Sequence, residues 1–147
     1  MLLFKTDYLE IYYFKAECLV EARWIGFPKS AEYRKGLISY LNIITNYEVK
    51  YWLEDFHLVP GINKSDKDWT NKVWVPKFSK IACTKIERMA RVITAKRYRD
   101  VNLKNIAQVS KATPFPVLYQ EFQRHDLALC WLTGKFFIPN ETIGMAV

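Results

Sequence analysis

The sequence predicts an α/β fold, a single domain with a mixed five-stranded sheet and about four helices in the order β-β-α-β-α-β-α-β-α. Three observations predict it. Short runs rich in aromatic and β-branched residues alternate with segments whose apolar residues recur at helical spacing. The run Val49 to Asp55 (V-K-Y-W-L-E-D) follows an amphipathic helix pattern directly and ends in two carboxylates. A strand, a helix and then a nearly continuous apolar strand call for a crossover and a parallel neighbour inside a sheet covered on both faces.

Tyr8–Phe14 and Cys18–Ile25 read as an antiparallel hairpin joined by Lys15-Ala16-Glu17. Cys18, Val20, Ala22 and Trp24 form its clean apolar side, opposite Leu19, Glu21, Arg23 and Ile25. Gly26 and Pro28 break the pattern, and Ser30 is the candidate N-cap of a helix over Ala31–Asn46. Tyr33, Leu37, Tyr40, Leu41 and Ile44 make its apolar stripe, and Gly36 suits a close approach to the sheet. Val49–Leu53 is the central strand, with Glu54 and Asp55 at its carboxyl end, where open α/β sheets place their sites. Adjacent strand residues point to opposite faces, so these two carboxylates do not share one substrate.

After a loop marked by Pro60-Gly61, Ser65 or Asp66 caps a helix with Trp69, Val73 and Trp74 inward, ended or kinked at Pro76. Ile81–Thr84 reads as an extended lead-in to a strand over Met89–Ala95. A helix over Leu103–Val109, a strand over Val117–Phe122 and a helix over His125–Leu132, stopped by Gly134, complete the domain. Residues 1–133 are thus one domain. Residues 134–147 are a tail whose Phe136, Phe137 and Ile138 pack back on it or mediate self-association.

At 147 residues the chain can bury a full core without disulfide or metal. The net charge is +7, and the excess lies in the second half, densest over Lys77–Lys111, where only Glu87 and Asp100 are acidic. That segment suits an anionic partner or a solvated basic face. Most aromatics fall on apolar faces and no nucleic-acid motif appears, so nucleic-acid binding is not expected. Cys18, Cys83 and Cys130 are scattered, which fits a reducing compartment. No apolar run is long enough to span a membrane. The expectation is a cytoplasmic protein without membrane insertion.

The Y-L-E-I-Y-Y opening, W-I-G-F followed by Glu32-Tyr33-Arg34-Lys35-Gly36, W-L-E-D-F, Asp66-Lys67-Asp68-Trp69 and Trp74-Val75-Pro76 together resemble the small SpoIIAA-like or STAS-like proteins of the Bacteroidetes type. The resemblance spans roughly residues 7–133. It implies a regulatory domain, in some relatives phosphorylated on a serine or threonine after a central strand. Asp55–Gly61, the corresponding stretch, contains neither residue, and Ser65 reads as a helix cap.

The chemistry is sparse. His57 and His125 lack the spacing of a metal site, and no cofactor-binding motif is present, so neither metal nor cofactor is expected. The leading expectation is a non-enzymatic regulatory or protein-interaction module, partnered by another protein or by itself. A small-molecule-binding domain is the first alternative, its pocket at the carboxyl end of the central strand beside Asp55, Phe56, His57, Trp69 and Trp74. An enzyme of unassigned reaction is the second; Asp55 and His57 alone supply neither nucleophile nor oxyanion site.

Overall fold

The computed structural model describes residues 1–26, 28–59, 61–93 and 117–135. A six-stranded sheet runs in sequence order: β1 (Leu2–Lys5), β2 (Leu9–Phe14), β3 (Leu19–Trp24), β4 (Tyr51–Asp55), β5 (Arg88–Val92) and β6 (Leu118–Phe122). β2 runs antiparallel to both its neighbours, β1 and β3, and β3 to β6 are parallel. The sheet is therefore mixed, as the sequence implies, but among the described residues it has six strands rather than five. The extra strand, β1, is short and lies at an edge, so it carries too few residues to show an alternation. Thr6 builds its turn into β2, the hydroxyl oxygen accepting from the Tyr8 and Leu9 amides at 3.2 and 3.0 Å.

Helix α1 (Ser30–Asn46) matches the expected span, but its cap differs. Lys29 holds the N-cap position and its amide donates to the Glu32 carboxylate at 2.9 Å. Ser30 is turned instead to Asp66 of the next helix, donating at 2.7 Å. At the other end of α1, the Lys85 ammonium donates to the Ile44, Thr45 and Tyr47 carbonyls at 2.7, 3.2 and 3.3 Å. A cation there matches the negative end of the helix dipole.

Helix α2 (Lys64–Trp69), a π-helical turn (Thr70–Trp74) and α3 (Val75–Lys85) run on as one helical arm. Asn63 caps it, its side-chain oxygen accepting from the Asp66 amide at 2.8 Å, so Ser65 and Asp66 are not the caps. Pro76 neither ends nor breaks the arm. A proline ring clashes with the carbonyl four residues back and leaves it without a donor, and the wider π turn before Pro76 relieves both problems. The Val75 amide accordingly bonds back five residues, to the Thr70 carbonyl. The same turn shifts the helical phase. Thr70 and Trp74 are buried while Val73 is exposed, against the simple Trp69-Val73-Trp74 stripe. The arm also continues through Ile81–Thr84, which is helical rather than extended.

Two layers cover the sheet. On one side α1 and the arm enclose an aromatic core of Trp24, Tyr33, Tyr40, Trp52, Phe56, Trp74 and Phe78. Trp24 stacks on Phe56 at 5.3 Å with 4° between the rings, and Trp74 stacks on Phe78 at 4.6 Å. On the other side, α4 (His125–Thr133) closes a smaller core of Leu19, Leu53, Ala90, Val92, Ala128 and Leu132. β3 is thus buried on both faces, not one; Leu19 and Glu21 are as enclosed as Val20 and Ala22. Gly134 ends α4 in the left-handed conformation at φ 71°. The expected helix over Leu103–Val109, Ala95 of the expected β5 strand and the Phe136–Ile138 patch lie outside the described residues.

Candidate functional site at the carboxyl edge of the sheet

β4 sits between β3 and β5, and its last two residues point to opposite layers, giving the edge two distinct polar clusters. Glu54 enters the aromatic layer. One carboxylate oxygen accepts from Arg91 Nε and Nη2 at 3.1 and 3.0 Å. The other accepts from the Tyr40 hydroxyl at 2.6 Å, and that hydroxyl accepts from Trp24 Nε1 at 2.8 Å. Arg91 also lies over the Phe56 ring at 5.0 Å. β4 and β5 pair Glu54 with Arg91 in register, so the ion pair follows from the strand alignment.

Glu54, Arg91 and Tyr40 are all essentially inaccessible to solvent. Burial alone lowers an arginine's proton affinity, but the adjoining Glu54 charge reverses that and holds Arg91 firmly ionised. Burial, then the Glu54 charge, pushes the Tyr40 hydroxyl well up, so it remains a donor. Tyr33 is likewise pushed up by burial, and its hydroxyl meets Thr70 Oγ1 at 2.9 Å. This cluster locks strand to strand and sheet to α1. It is a closed structural network, with its charges answered inside the chain.

Asp55 enters the other layer. Its carboxylate accepts from the His57 amide at 3.0 Å and pairs with His57 Nδ1. Next to it in the β3–β4 register is Arg23, whose Nε donates to Glu21 at 2.6 Å and whose guanidinium covers Tyr12 at 5.0 Å. The same Glu21 oxygen meets His125 Nε2 at 2.8 Å, tying α4 to β3. The bond to Glu21 raises the His125 pKa above its ordinary value; burial opposes the rise, and the Glu21 and Asp55 charges reinforce it. Burial works to raise the Glu21 pKa, but the bonds from His125 and Arg23 outweigh it and hold the carboxyl low. Both histidines of the chain therefore meet a buried carboxylate on one rim. Sequence inspection singles out Asp55 and His57, but not Glu21, Arg23 or His125. The available signal is Glu21 and Arg23 flanking the buried Ala22 on a strand that must have a covered second face.

The remaining expected site residues stand elsewhere. Phe56 and Trp74 belong to the aromatic core, with Trp74 Nε1 donating to the Leu37 carbonyl at 2.6 Å. Trp69 is half-buried beneath the Arg34 guanidinium at 5.1 Å. The structure thus brings Asp55 and His57 together and separates both from Phe56, Trp69 and Trp74 by the thickness of the sheet. Cys83 is buried, which pushes its thiol up and makes it a poor nucleophile. Among the described residues no group of three metal-ligating side chains converges, and no helix is long and apolar enough to cross a membrane.

A groove opens beside the Glu21 rim, between the flank of α4 and β2–β3. It has a volume of about 190 Å³ and is lined by Phe14, Glu17, Leu19, Glu21, Leu129, Thr133 and Lys135.

Fold and edge together define a small α/β domain, its sheet covered by helices on both faces, with a parallel centre, an antiparallel flank and a self-satisfied polar edge. No family model matches the chain, and no curated protein matches it. A solved structure from Shewanella loihica, described as an uncharacterised protein of the DUF3478 family with a SpoIIAA-like fold, aligns with it at 17% identity and a TM-score of 0.49. The alignment covers 88% of this chain and 98% of that one. The narrower Bacteroidetes-type grouping receives no support from it, and the α/β assignment rests on the sheet itself.

Proposed function

We propose that the chain is a non-enzymatic protein-interaction module of regulatory type. The observation that supports this is the uncovered half of the sheet. α4 packs over β4, β5 and β6, whereas Leu2, Tyr12 and Phe14 share the corresponding face of β1 and β2, where among the described residues no helix packs over them and Phe14 meets α4 only across the groove. Leu2 and Phe14 are 46% and 38% exposed. Apolar side chains aligned on an open sheet face suit a protein partner, or a second copy, better than they suit water. Cross-linking mass spectrometry in the native cell tests the reading. Links from Lys5 and Lys15, which flank this face, to a defined partner should disappear in the Leu2→Ser/Phe14→Ser variant. Links that survive it, or map only to other faces, sink the proposal.

A ligand-binding reading has one observation in its favour. Asp55 and His57, joined by Glu21, Arg23 and His125, concentrate two imidazoles and two buried carboxylates on one rim. A metabolite that raises the melting temperature of the wild type but not of His57→Ala would move the function there.

A further inference from the structure

Among the described residues the sheet has two outer edges, β1 and β6, and they are built differently. β1 is short, its register breaks between Leu2 and Phe4, and Lys5 stands at its end. Shortness, a bulge and a lysine are the usual guards against a further strand pairing with an edge. β6 carries no such guard. Leu118–Phe122 (L-Y-Q-E-F) pairs with β5 in unbroken register along its whole length and contains neither proline nor lysine.

The pairing with β5 decides which backbone groups of β6 remain free. The Leu118 amide donates to the Glu87 carbonyl at 3.0 Å, and the Phe122 carbonyl accepts from the Ile93 amide at 2.9 Å. Alternate residues of a strand turn their backbone groups the same way, so Gln120 also faces β5. Tyr119 and Glu121 therefore turn their amides and carbonyls to the outer edge, where no strand of the described residues meets them.

The side chains select what pairs there. Phe122 packs on Trp131 in the α4 layer, so Leu118, Gln120 and Phe122 share that face, while Tyr119 lies against the aromatic core with Glu121 on its side. Leu118 is 53% exposed, and the Tyr119 hydroxyl donates to the Glu121 carboxylate at 2.8 Å. Read backwards, the strand is its own complement. An antiparallel strand of the same sequence, centred on Gln120, sets Leu118 opposite Phe122, Tyr119 opposite Glu121 and amide against amide at the centre. The strand's only charge then meets a hydroxyl and not a second carboxylate. In that register Tyr119 and Glu121 of opposite strands exchange both their backbone hydrogen bonds, which uses the groups left free at the edge.

We propose that β6 is a self-association edge: two copies of the chain pair antiparallel through Leu118–Phe122 about a two-fold axis at Gln120, joining their sheets into one. One strand pair makes a small interface, below the roughly 1,200 Å² of stable complexes, so the association is weak and reversible. It uses the edge opposite the β1–β2 face and does not depend on the interaction role proposed for that face.

Sedimentation equilibrium of the full chain, taken to about 1 mM so that a Kd near that value is detected, tests the pairing. The wild type should dimerise reversibly. Gln120 is exposed, so charging it should leave the melting temperature unchanged. On the axis it faces its own counterpart, and like charges directly opposite repel. Gln120→Lys alone and Gln120→Glu alone should therefore each weaken dimerisation by about fivefold or more. An equimolar mixture of the two variants should restore it, as a mixed pair with opposite charges on the axis. A monomeric wild type, a dimer unchanged in both variants, or a mixture that associates no better than either variant alone overturns the proposal. A dimer lost in Leu2→Ser/Phe14→Ser but kept in both Gln120 variants also overturns it, and moves the contact to the β1–β2 face.

Discussion

At the scale of single residues, two positions decide the aromatic layer. Gly36 lies where α1 presses on the sheet; a Cβ there would sit 2.5 Å from Trp24 Cη2 and 2.9 Å from a Leu9 methyl. Alanine favours a helix by about 1 kcal/mol over glycine, yet overpacking a well-filled core costs typically about 1–3 kcal/mol. Both obstructing atoms belong to fully buried side chains with no room to withdraw. Gly36→Ala is therefore expected to lower the urea midpoint of unfolding, and an unchanged or raised midpoint would show that the helix term wins. The second position is Arg91. Removing one partner of a buried ion pair costs about 3–5 kcal/mol, whereas replacing both by well-packed neutral residues is often close to neutral. Arg91→Leu should leave the buried Glu54 carboxyl without its cationic partner beside Tyr40, and lose stability on that scale. The Glu54→Gln/Arg91→Met double variant, which keeps an acceptor for the Tyr40 hydroxyl, should recover most of it in equilibrium denaturation. A double variant no more stable than the single would contradict a purely electrostatic cause.

At the scale of elements, the joint between α1 and the arm is polar rather than apolar. Asp66 is buried and accepts from Ser30 at 2.7 Å and Arg34 Nε at 2.8 Å, so one carboxylate holds two helices. Asp66→Ala strands Ser30 and Arg34 without a common acceptor, and hydrogen bonds to a charged group contribute about 1.5–3 kcal/mol each. Amide exchange should accelerate first in residues 64–74, ahead of β4 and β5; uniform acceleration would show that the arm is not a separate unit. This joint also marks the limit of legibility. Periodicity exposed α1, β2 and α4 because each buries one face with a steady apolar period. It failed along 64–85 because Pro76 invites a break there, while the π turn that accommodates it has no sequence period of its own. It failed at β1 for want of length. At the candidate site, Asp55 and His57 are neighbours in sequence and could be grouped by eye. Glu21 and His125 are joined only by the docking of α4 on β3, a tertiary contact with no local signature.

At the scale of the whole molecule, the two layers are fastened differently. The aromatic layer is held by ring packing and a fully buried ion pair, which solvent scarcely reaches. The α4 layer has a much smaller apolar core and hangs on Glu21, which also binds Arg23. Its stability should therefore depend on pH, and the sign follows from the two shifts. His125 titrates above its ordinary 6.5 in the folded chain, because Glu21 stabilises the imidazolium. Its contribution is complete below that value and is lost as pH rises through the raised folded pKa. Glu21 titrates below its ordinary 4.5, because His125 and Arg23 outweigh its burial. Its contribution is present above 4.5 and is lost as pH falls through the lowered folded pKa. The pair works in full only between those ordinary values, from about pH 4.5 to 6.5. The melting-temperature difference between wild type and His125→Gln should accordingly be greatest within that window and shrink toward pH 9. Arg23 stays ionised throughout and remains on Glu21, so the variant should retain a shallower acid limb. Melting curves for both chains from pH 3 to 9 decide the matter: a difference that is the same at pH 5.5 and pH 9 would mean that α4 is held by its apolar face alone, with the charge pair at its foot contributing nothing to the docking.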